Sequence, residues 1–165
     1  MGWREEIEKF VIRKGEGKPH PYFDVKGMIS QPELLYAIVG EIGDIILQKH
    51  PKIKAIGSHG VGGSFLISPI ILYVYNHWFT VNGFFIRLEA DENGEHNPIE
   101  GCLEKGWRVV IVDTLIKTGN SSLKAYETLT AYGCQVDGII IAADLSGGDN
   151  ACTSAGLEIE TLITL

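Results

Sequence analysis

Short apolar segments alternate along the chain with segments of helical spacing. Five segments are almost wholly apolar and are bounded by glycine or polar residues, as buried strands are: IKAIG, GFFIRLE, RVVIVD, VDGIIIAADL and EIETLITL. Between them, apolar residues recur three or four positions apart. Strands that are apolar throughout and alternate with helices favour a mainly parallel sheet covered on both faces. The predicted fold class is therefore α/β, with a central sheet flanked by helices.

Two helices are predicted in the first third of the chain. The first spans residues 3–11, with Gly15 as its stop signal. The second follows an S-x-x-E capping pattern formed by Ser30 and Glu33, and its apolar face covers residues 34–46. The segment GEGKPHPYFDVKGM between them is predicted as a loop with a short extended piece at YFDV.

Two further helices are predicted after the glycine-rich turn SHGVGGS. PIILYVYNHW is predicted as a helix that Ser68 caps, with Pro69 at its first position. SLKAYETLTAY is predicted to begin at Ser121 or Ser122 and to end at Gly133. The polar segment ADENGEHNPIEG is predicted as an exposed excursion.

Length, composition and charge exclude several classes of protein. The 165 residues fit one domain, and 45% hydrophobic against 21% charged residues can build a core. A net charge of −7 argues against a surface for nucleic acid, which needs clustered Lys and Arg. The apolar run FLISPIILYVY is too short to cross a bilayer, and MGWREEIEKF lacks the pattern of a secretory signal. We therefore expect a cytoplasmic protein without a membrane partner.

Three cysteines, Cys102, Cys134 and Cys152, are an odd number without C-x-x-C spacing. Buried or half-exposed thiols in a reducing compartment are favoured over a zinc site or a catalytic thiol.

The segment KTGNSS joins a predicted strand to a predicted helix. Backbone N–H groups in such a turn, together with the helix dipole, form an anion site. Hydroxyl groups are added by Thr118, Ser121 and Ser122. Gly119 lets the backbone approach a ligand closely, and Lys117 adds a positive charge. A strand-to-helix turn without a ligand is the alternative. Because ligands bind at the carboxyl ends of parallel strands, this turn and the turn of residues 58–64 are expected to meet at one edge of the sheet.

The segment VVIVDTLIKTGNS resembles the phosphoribosyl-diphosphate (PRPP) loop of type I phosphoribosyltransferases. The resemblance narrows to the orotate phosphoribosyltransferases through PYFDVKGMISQPELL, GVGGSFL, FIRLEADENGEHNPIEG and DLSGGDNACTSAGLEIETLITL, in the family's order. It implies the type I fold as a single domain over residues 1–165, with an N-terminal helix and hood-side segment at 1–30 and a flexible hood loop at 84–101. It also implies a homodimer, and Mg²⁺ accompanying PRPP.

The resemblance also implies a role for each motif residue. Asp113 would be the catalytic residue and, with Thr114, would bind the ribose, while Arg87 would belong to the hood. No direct protein ligand to a metal is expected. Two larger sets are the phosphate-binding residues Lys117, Thr118, Gly119, Asn120 and Ser121, and the diphosphate-side loop residues Ser58, His59, Gly60, Gly62 and Gly63.

The sequence departs from the family where the family carries charge. Family hoods read approximately R-K-x-x-K-x-H-G, but Leu88, Asp91 and Asn93 stand at the two lysine positions and the histidine position. Residues 87–100 hold five acids against one base. Thr114 replaces the second of two adjacent acids. Leu145 replaces the arginine that holds the orotate carboxylate, and leucine cannot pair with a carboxylate.

Three hypotheses follow from this contrast. The first is a protein that binds a 5′-phosphorylated ribose ligand, PRPP or a nucleotide, without transferring orotate. The second is a working phosphoribosyltransferase that uses another base. The third is a scaffold or regulatory protein with a vestigial pocket. Whether the chain is an enzyme is left open between them.

Some single residues admit a second interpretation. A solvent-facing loop histidine is favoured for His59 over a ligand or metal contact. Tyr22 and Phe23 lie in the segment that approaches the base and the dimer contact in the family. Ser64 and Asp113 could be cast in a hydrolase triad, but the chain has no G-x-S-x-G elbow.

Overall fold

A six-stranded sheet organises the described residues, which are 3–12, 22–88 and 98–164 of a computed structural model. Its strand order is β5-β4-β3-β6-β7-β8, and every neighbouring pair is parallel except the antiparallel pair of β4 and β5. Two short strands, β1 and β2, pair antiparallel in a separate sheet. The strands are β1 Val11–Ile12, β2 Tyr22–Phe23, β3 Ala55–His59, β4 Asn82–Ile86, β5 Ile99–Gly101, β6 Arg108–Ile116, β7 Gln135–Asp144 and β8 Ile159–Thr164.

Helices cover both faces of the large sheet. They are α1 Trp3–Ile7, α2 Val25–Ile29, α3 Pro32–Lys49, α4 Gly60–Asn76, α5 Asn120–Tyr132 and α6 Ala151–Ser154, with a 3₁₀ turn at Glu8–Phe10. Strand β6 shows the two layers, because its side chains alternate between faces. Val110 and Val112 pack into the cluster of α3 and α4, whereas Val109 and Ile111 pack into the cluster of α5 and α6. The predicted fold class is confirmed.

The order of the strands places a switch point between β3 and β6. From β3 the chain moves outward to β4 and β5, then returns to the other side of β3 as β6. The two strands pair in parallel, with Ala55 opposite Val109 and Gly57 opposite Ile111. Their carboxyl ends therefore lie side by side. Strand β3 continues directly into α4, and β6 is followed by a short turn that leads into α5.

The predicted start of α4 was wrong. The helix begins at Gly60 rather than at Pro69, which lies inside it. A buried face that includes Gly63, Leu66, Ile70 and Val74 continues through the whole helix, at helical spacing. Packing of this face against the sheet outweighs the cost of the interior proline.

The N-terminal segments also differ from the prediction. The first helix ends at Ile7, because Val11 and Ile12 pair with β2 as a strand. The predicted Ser30 cap was wrong, since the Ser30 hydroxyl donates to the carbonyl of Lys26 at 2.7 Å and Gln31 precedes α3. Of YFDV, Tyr22 and Phe23 are extended, but the side chain of Asp24 caps α2. The predicted stop at Gly15 lies outside the described residues.

The C-terminal elements follow the prediction more closely. Gly133 ends α5 with φ 103°, as expected, but the helix begins at Asn120, before either predicted serine. Strand β6 extends three residues beyond the predicted end at Asp113, to Ile116. The end of the predicted excursion, Ile99–Gly101, forms the edge strand β5. Residues 89–97 of the predicted hood lie outside the described residues, and the division into hood and domain stays a prediction.

Several large apolar side chains are exposed, most of them on α4. They are Tyr36, Val61, Phe65, Leu72, Tyr75 and Trp78. Residues 61, 65 and 72 share one face of α4, because they are four and seven positions apart. The homodimer that the resemblance implies stays a prediction. Within the described ranges, no helix is long and apolar enough to cross a membrane.

Candidate functional site

A cavity of about 400 Å³ opens where β3 and β6 end. The end of β3 with the first turn of α4, the turn after β6 and the start of α2 surround it. Its lining residues are Val25, Lys26, His59, Gly60, Gly62, Asp113, Thr114, Leu115, Ile116, Lys117, Thr118, Gly119, Ser121 and Ser122. Residues 58–64, which were predicted as a turn, are instead the end of β3 and the first turn of α4, but they meet the turn after β6 at this edge of the sheet as expected.

The turn after β6 leads into the N-terminus of α5. Gly119 is the N-cap residue with φ 74°, a left-handed conformation that suits glycine. No described side chain caps this helix, so N–H groups of its first turn have no capping acceptor. The cavity is lined by Gly119, Ser121 and Ser122. This combination of uncapped amides, helix dipole and hydroxyl groups is an anion-binding arrangement.

Helix α6 packs against this turn and contacts its backbone carbonyls. The Ala151 N–H donates to the Thr118 carbonyl at 2.8 Å, and the Cys152 thiol contacts the Gly119 carbonyl at 3.4 Å. An added Cβ at Gly119 would lie 2.9 Å from Asn150 Oδ1. Glycine is therefore required at 119 both for its φ angle and for this close packing. The sequence prediction contained no helix at α6, because four residues are too few to show a period.

The first turn of α4 packs tightly against β6. An added Cβ at Gly62 would lie 2.6 Å from Thr114 Oγ1, and one at Gly63 would lie 1.7 Å from Ser58 Oγ. Gly60, at φ 75°, opens α4 and lines the cavity. The glycines allow the first turn of α4 to approach β6, which brings α4 against the residues that follow Val112.

Asp113 is the carboxylate of the cavity. Its Oδ1 accepts the Thr114 backbone N–H at 2.7 Å and lies 3.4 Å from the Thr114 hydroxyl. Burial raises the pKa of Asp113 to about 7, against the opposing effect of the Thr114 hydrogen bonds. Near neutral pH the acid is therefore divided between its neutral and its charged form.

His59 is buried, and the prediction that it faces solvent was wrong. Its ring Nε2 lies 3.3 Å from Asp113 Oδ2 and 3.2 Å from Ser122 Oγ. Burial lowers the pKa of His59 to about 4. The imidazole is neutral at pH 7, so its approach to Asp113 is a contact between a neutral ring and the carboxyl group rather than an ion pair. The residue was misplaced because it was assigned to an exposed turn, whereas it is the last residue of β3.

Charges on the cavity wall differ in sign from the chain as a whole. The lining carries Lys26 and Lys117 against Asp113, although the chain has a net charge of −7. Both lysines are exposed, so their effect on an anion is screened but attractive. Lys26 and Val25 were missed as site residues, because α2 was predicted as a loop and nothing placed it against this edge.

The curated proteins compared with this chain are named orotate phosphoribosyltransferase. The orotate phosphoribosyltransferase of Sorangium cellulosum is 32% identical over 162 residues, which cover 96% of this chain and 83% of the relative. That of Rhodopirellula baltica is 28% identical over 162 residues, which cover 95% and 83%. The chain belongs to the orotate phosphoribosyltransferase family. No protein-family model matches it.

Solved structures confirm the type I phosphoribosyltransferase fold. The orotate phosphoribosyltransferase of Aeropyrum pernix superposes with a TM-score of 0.80 at 21% identity, covering 99% of this chain and 94% of the other. The enzyme of Mycobacterium tuberculosis in complex with PRPP gives 0.76 at 20% identity, covering 99% and 87%. An adenine phosphoribosyltransferase from Thermoanaerobacter pseudethanolicus gives 0.72 at 21% identity, covering 98% and 99%. The fold is thus common to relatives named for different bases.

Most motif residues of the orotate phosphoribosyltransferase resemblance lie at the cavity. Those that line it are His59, Gly60, Gly62, Asp113, Thr114, Lys117, Thr118, Gly119 and Ser121. Ser58 and Gly63 are buried beside the site without lining it, and Asn120 is exposed at the start of α5. Their assigned roles stay predictions. Within residues 3–12, 22–88 and 98–164, no group of three or more His, Cys, Asp or Glu side chains could hold a metal.

Arg87 lies beside a neighbouring cavity of about 350 Å³, which shares His59, Gly60 and Ser121 with the first. A guanidinium nitrogen of Arg87 is 2.6 Å from Glu100 Oε1 on β5. Glu100 would therefore compete with an anion for Arg87, the cation that the resemblance assigns to the hood. The departures at Asp91 and Asn93 lie outside the described residues.

Leu145, which the resemblance places at the base-binding position, makes an apolar contact. Leu145 is half-buried, packs against the core cluster of α3 and α4, and is not among the residues that line the cavity. Asp144 is buried and closes its own turn, since its carboxylate accepts the N–H and hydroxyl of Ser146, each at 2.6 Å, and the N–H of Gly148 at 3.2 Å.

Replacing Asp113 with asparagine is expected to remove a pH-dependent part of the free energy of unfolding. Because the folded pKa of about 7 exceeds the ordinary value of 3.8, the contribution of Asp113 is full below about pH 4 and is lost as the pH rises to about 7. Asparagine resembles the neutral acid. The Asp113→Asn variant should therefore gain stability relative to the unmodified protein between pH 4 and 7.

Urea unfolding at several pH values measures this difference. His59 acts in the opposite direction, since its lowered pKa of about 4 gives stability that is lost as the pH falls from 6.5 through 4, and the variant retains that residue. Asp149→Asn, at an exposed carboxylate, is the control. A stability difference that does not change with pH would contradict the assignment.

Proposed function

We propose that this chain binds a 5-phosphorylated ribose ligand, PRPP or a nucleoside monophosphate, and that it no longer transfers orotate. The observation that carries the proposal is the uncapped N-terminus of α5, which opens onto a cavity whose wall also holds Asp113. One end of the cavity thus offers donors for a phosphate, and the other offers an acceptor for hydroxyl groups. A 5-phosphorylated ribose has both features in one molecule.

The phosphate end is supported by three kinds of donor. Backbone N–H groups of the first turn of α5 point along the helix axis, where the dipole favours negative charge. The hydroxyls of Thr118, Ser121 and Ser122 line the same wall. Lys117 adds a positive charge at the entrance, where it is exposed. The rigid support from α6 keeps the donors in place before a ligand arrives.

The ribose end is supported by one acid where the family has two. Asp113 can accept hydrogen bonds from ribose hydroxyls, whereas Thr114 supplies a neutral hydroxyl that can bind but cannot stabilise developing positive charge. Mg²⁺ is usually held by one or two carboxylates together with substrate phosphates. Among the described lining residues only Asp113 is a carboxylate, so Mg²⁺ would depend on the diphosphate of PRPP for most of its oxygen ligands.

Loss of orotate transfer is supported by three departures from the family. Thr114 removes one acid near the reacting carbon, Leu145 removes the anchor for the orotate carboxylate, and Leu88, Asp91 and Asn93 replace cations of the hood. The ion pair between Arg87 and Glu100 weakens the remaining hood cation further. Transition-state electrostatics depends on such charges, so each departure lowers the rate of transfer.

A second candidate function is transfer of the phosphoribosyl group to another base. Lys26 favours it, because this cation lines the cavity on the α2 side and could compensate for part of the lost charge. A scaffold or regulatory role with a vestigial pocket is the remaining alternative, and it requires that neither phosphate nor ribose 5-phosphate binds.

Titration calorimetry with ribose 5-phosphate tests the proposed function. The unmodified protein should bind this ligand, and Lys117→Gln should weaken binding roughly twofold to tenfold, as expected for one exposed charge near a phosphate. Lys52→Gln is the matched control, because Lys52 is exposed and precedes β3 at the opposite edge of the sheet. Absence of binding, or equal effects of the two variants, would refute the proposed site.

Orotate and PRPP with Mg²⁺ are expected to yield no orotidine monophosphate above background. If each of the three departures costs ~2–3 kcal/mol, together they approach ~6–9 kcal/mol, or about 10⁴–10⁶ in rate, as an upper figure because they share one site. Leu145→Arg alone should not restore turnover, since the hood acids remain. Formation of the product by the unmodified protein, abolished by Asp113→Asn, would refute the proposed loss of orotate transfer.

A further inference from the structure

The His59 imidazole connects two parts of the site that belong to different elements. His59 ends β3, Asp113 lies in β6, and Ser122 lies in the first turn of α5. The ring Nε2 is 3.3 Å from Asp113 Oδ2 and 3.2 Å from Ser122 Oγ. All three side chains are buried, at 5%, 9% and 2% exposure, and all three residues line the cavity.

Each oxygen of Asp113 has a different partner. Oδ1 is held locally by the backbone N–H of Thr114, at 2.7 Å. Oδ2 faces His59, which is the contact from outside β6. The Thr114 N–H and the His59 ring thus contact opposite oxygens of the carboxyl group, and together they restrict its rotation and the direction of its remaining lone pairs.

The position of the single proton on the neutral His59 ring determines whether Nε2 donates or accepts. Burial keeps the pKa of His59 near 4, so at pH 7 the ring carries one proton. When Asp113 is ionised it can only accept, and the tautomer with its proton on Nε2 then directs that proton towards Asp113 and Ser122. Both oxygens can then accept from Nε2–H, and the Ser122 hydroxyl hydrogen is left to point elsewhere in the cavity. That direction suits donation to a phosphate at the start of α5.

Simple packing does not account for a histidine at this position. Burying a polar ring is unfavourable unless its nitrogens form hydrogen bonds, and an apolar side chain of similar size would fill the space without that cost. The ring also lies between the two neighbouring cavities, since His59 lines both. Its polar contacts are therefore directed at groups of the site.

We propose that His59 is a positioning residue, which aims the Asp113 carboxyl group at the ribose hydroxyls. The proposal rests on the proposed function, because it needs a ligand with a phosphate and a ribose. It assigns His59 an effect on the ribose part of binding rather than on the phosphate part. The two parts can be measured separately.

Calorimetry with inorganic phosphate and with ribose 5-phosphate separates them. The ratio of the two dissociation constants reports the contribution of the ribose, and the protonation of phosphate itself largely cancels from it. His59→Leu should weaken ribose 5-phosphate roughly threefold to tenfold, as expected for one lost hydrogen bond, and should change phosphate less than about twofold. His59→Gln, which keeps an N–H donor, should restore most of the ratio.

His50→Leu is the matched control. His50 is also a buried histidine whose Nε2 contacts a carboxylate, Glu160 Oε1 at 3.0 Å, but it follows α3 away from the cavity. This variant should leave the ratio unchanged. If His59→Leu weakens both ligands equally, or leaves the ratio unchanged, the positioning role is wrong while the proposed function stands. If the unmodified protein binds neither ligand, the proposed function fails as well.

A second readout needs no variant at position 59 and so does not depend on the variant's folding. In the ¹⁵N spectrum of the unmodified protein, ribose 5-phosphate should shift the Nε2 resonance of His59 more than inorganic phosphate does, because only the sugar engages Asp113. Equal shifts with the two ligands would contradict the proposal.

Discussion

The parallel pairing of β3 with β6 is the contact on which the site depends. It places Gly57 opposite Ile111, and from there both strands reach the same edge of the sheet, where β3 ends in His59 and β6 passes through Asp113. Because β4 and β7 lie on the outer sides of this pair, the first turn of α4 and the turn between β6 and α5 meet over the switch point. The cavity, the aligned dipole of α5 and the contact between His59 and Asp113 all follow from this arrangement.

Local signals in the sequence were sufficient for the scaffold and for the turn after β6. Buried strands were visible as apolar runs, and Gly133 marked the end of α5. Local sequence signals gave wrong predictions where tertiary packing overrides the local preference of the chain. Pro69 is a typical first residue of a helix, yet the buried face of α4 carries the helix back to Gly60. The burial of His59 could not be predicted, because it results from the pairing of strands that are distant in the chain.

Positions that shape the scaffold match the family in this chain, whereas several positions that the resemblance predicts to be charged do not. Positions that shape the site are retained, such as Gly119 with its φ of 74° and its contact with Asn150. Positions at which the family resemblance predicts charge are changed, as at Thr114 and Leu145. Binding of a phosphate depends mainly on backbone donors, which survive such substitutions, whereas transfer depends on side-chain charge. Retained binding without orotate transfer is the combination that this division favours.

A crystal structure of the protein soaked with ribose 5-phosphate tests this claim most directly. We expect density for the phosphate at the N-terminus of α5, against Gly119 and Ser121, with a ribose hydroxyl within hydrogen-bond distance of Asp113. An empty cavity at saturating ligand, or a ligand bound with its phosphate away from α5, would contradict it.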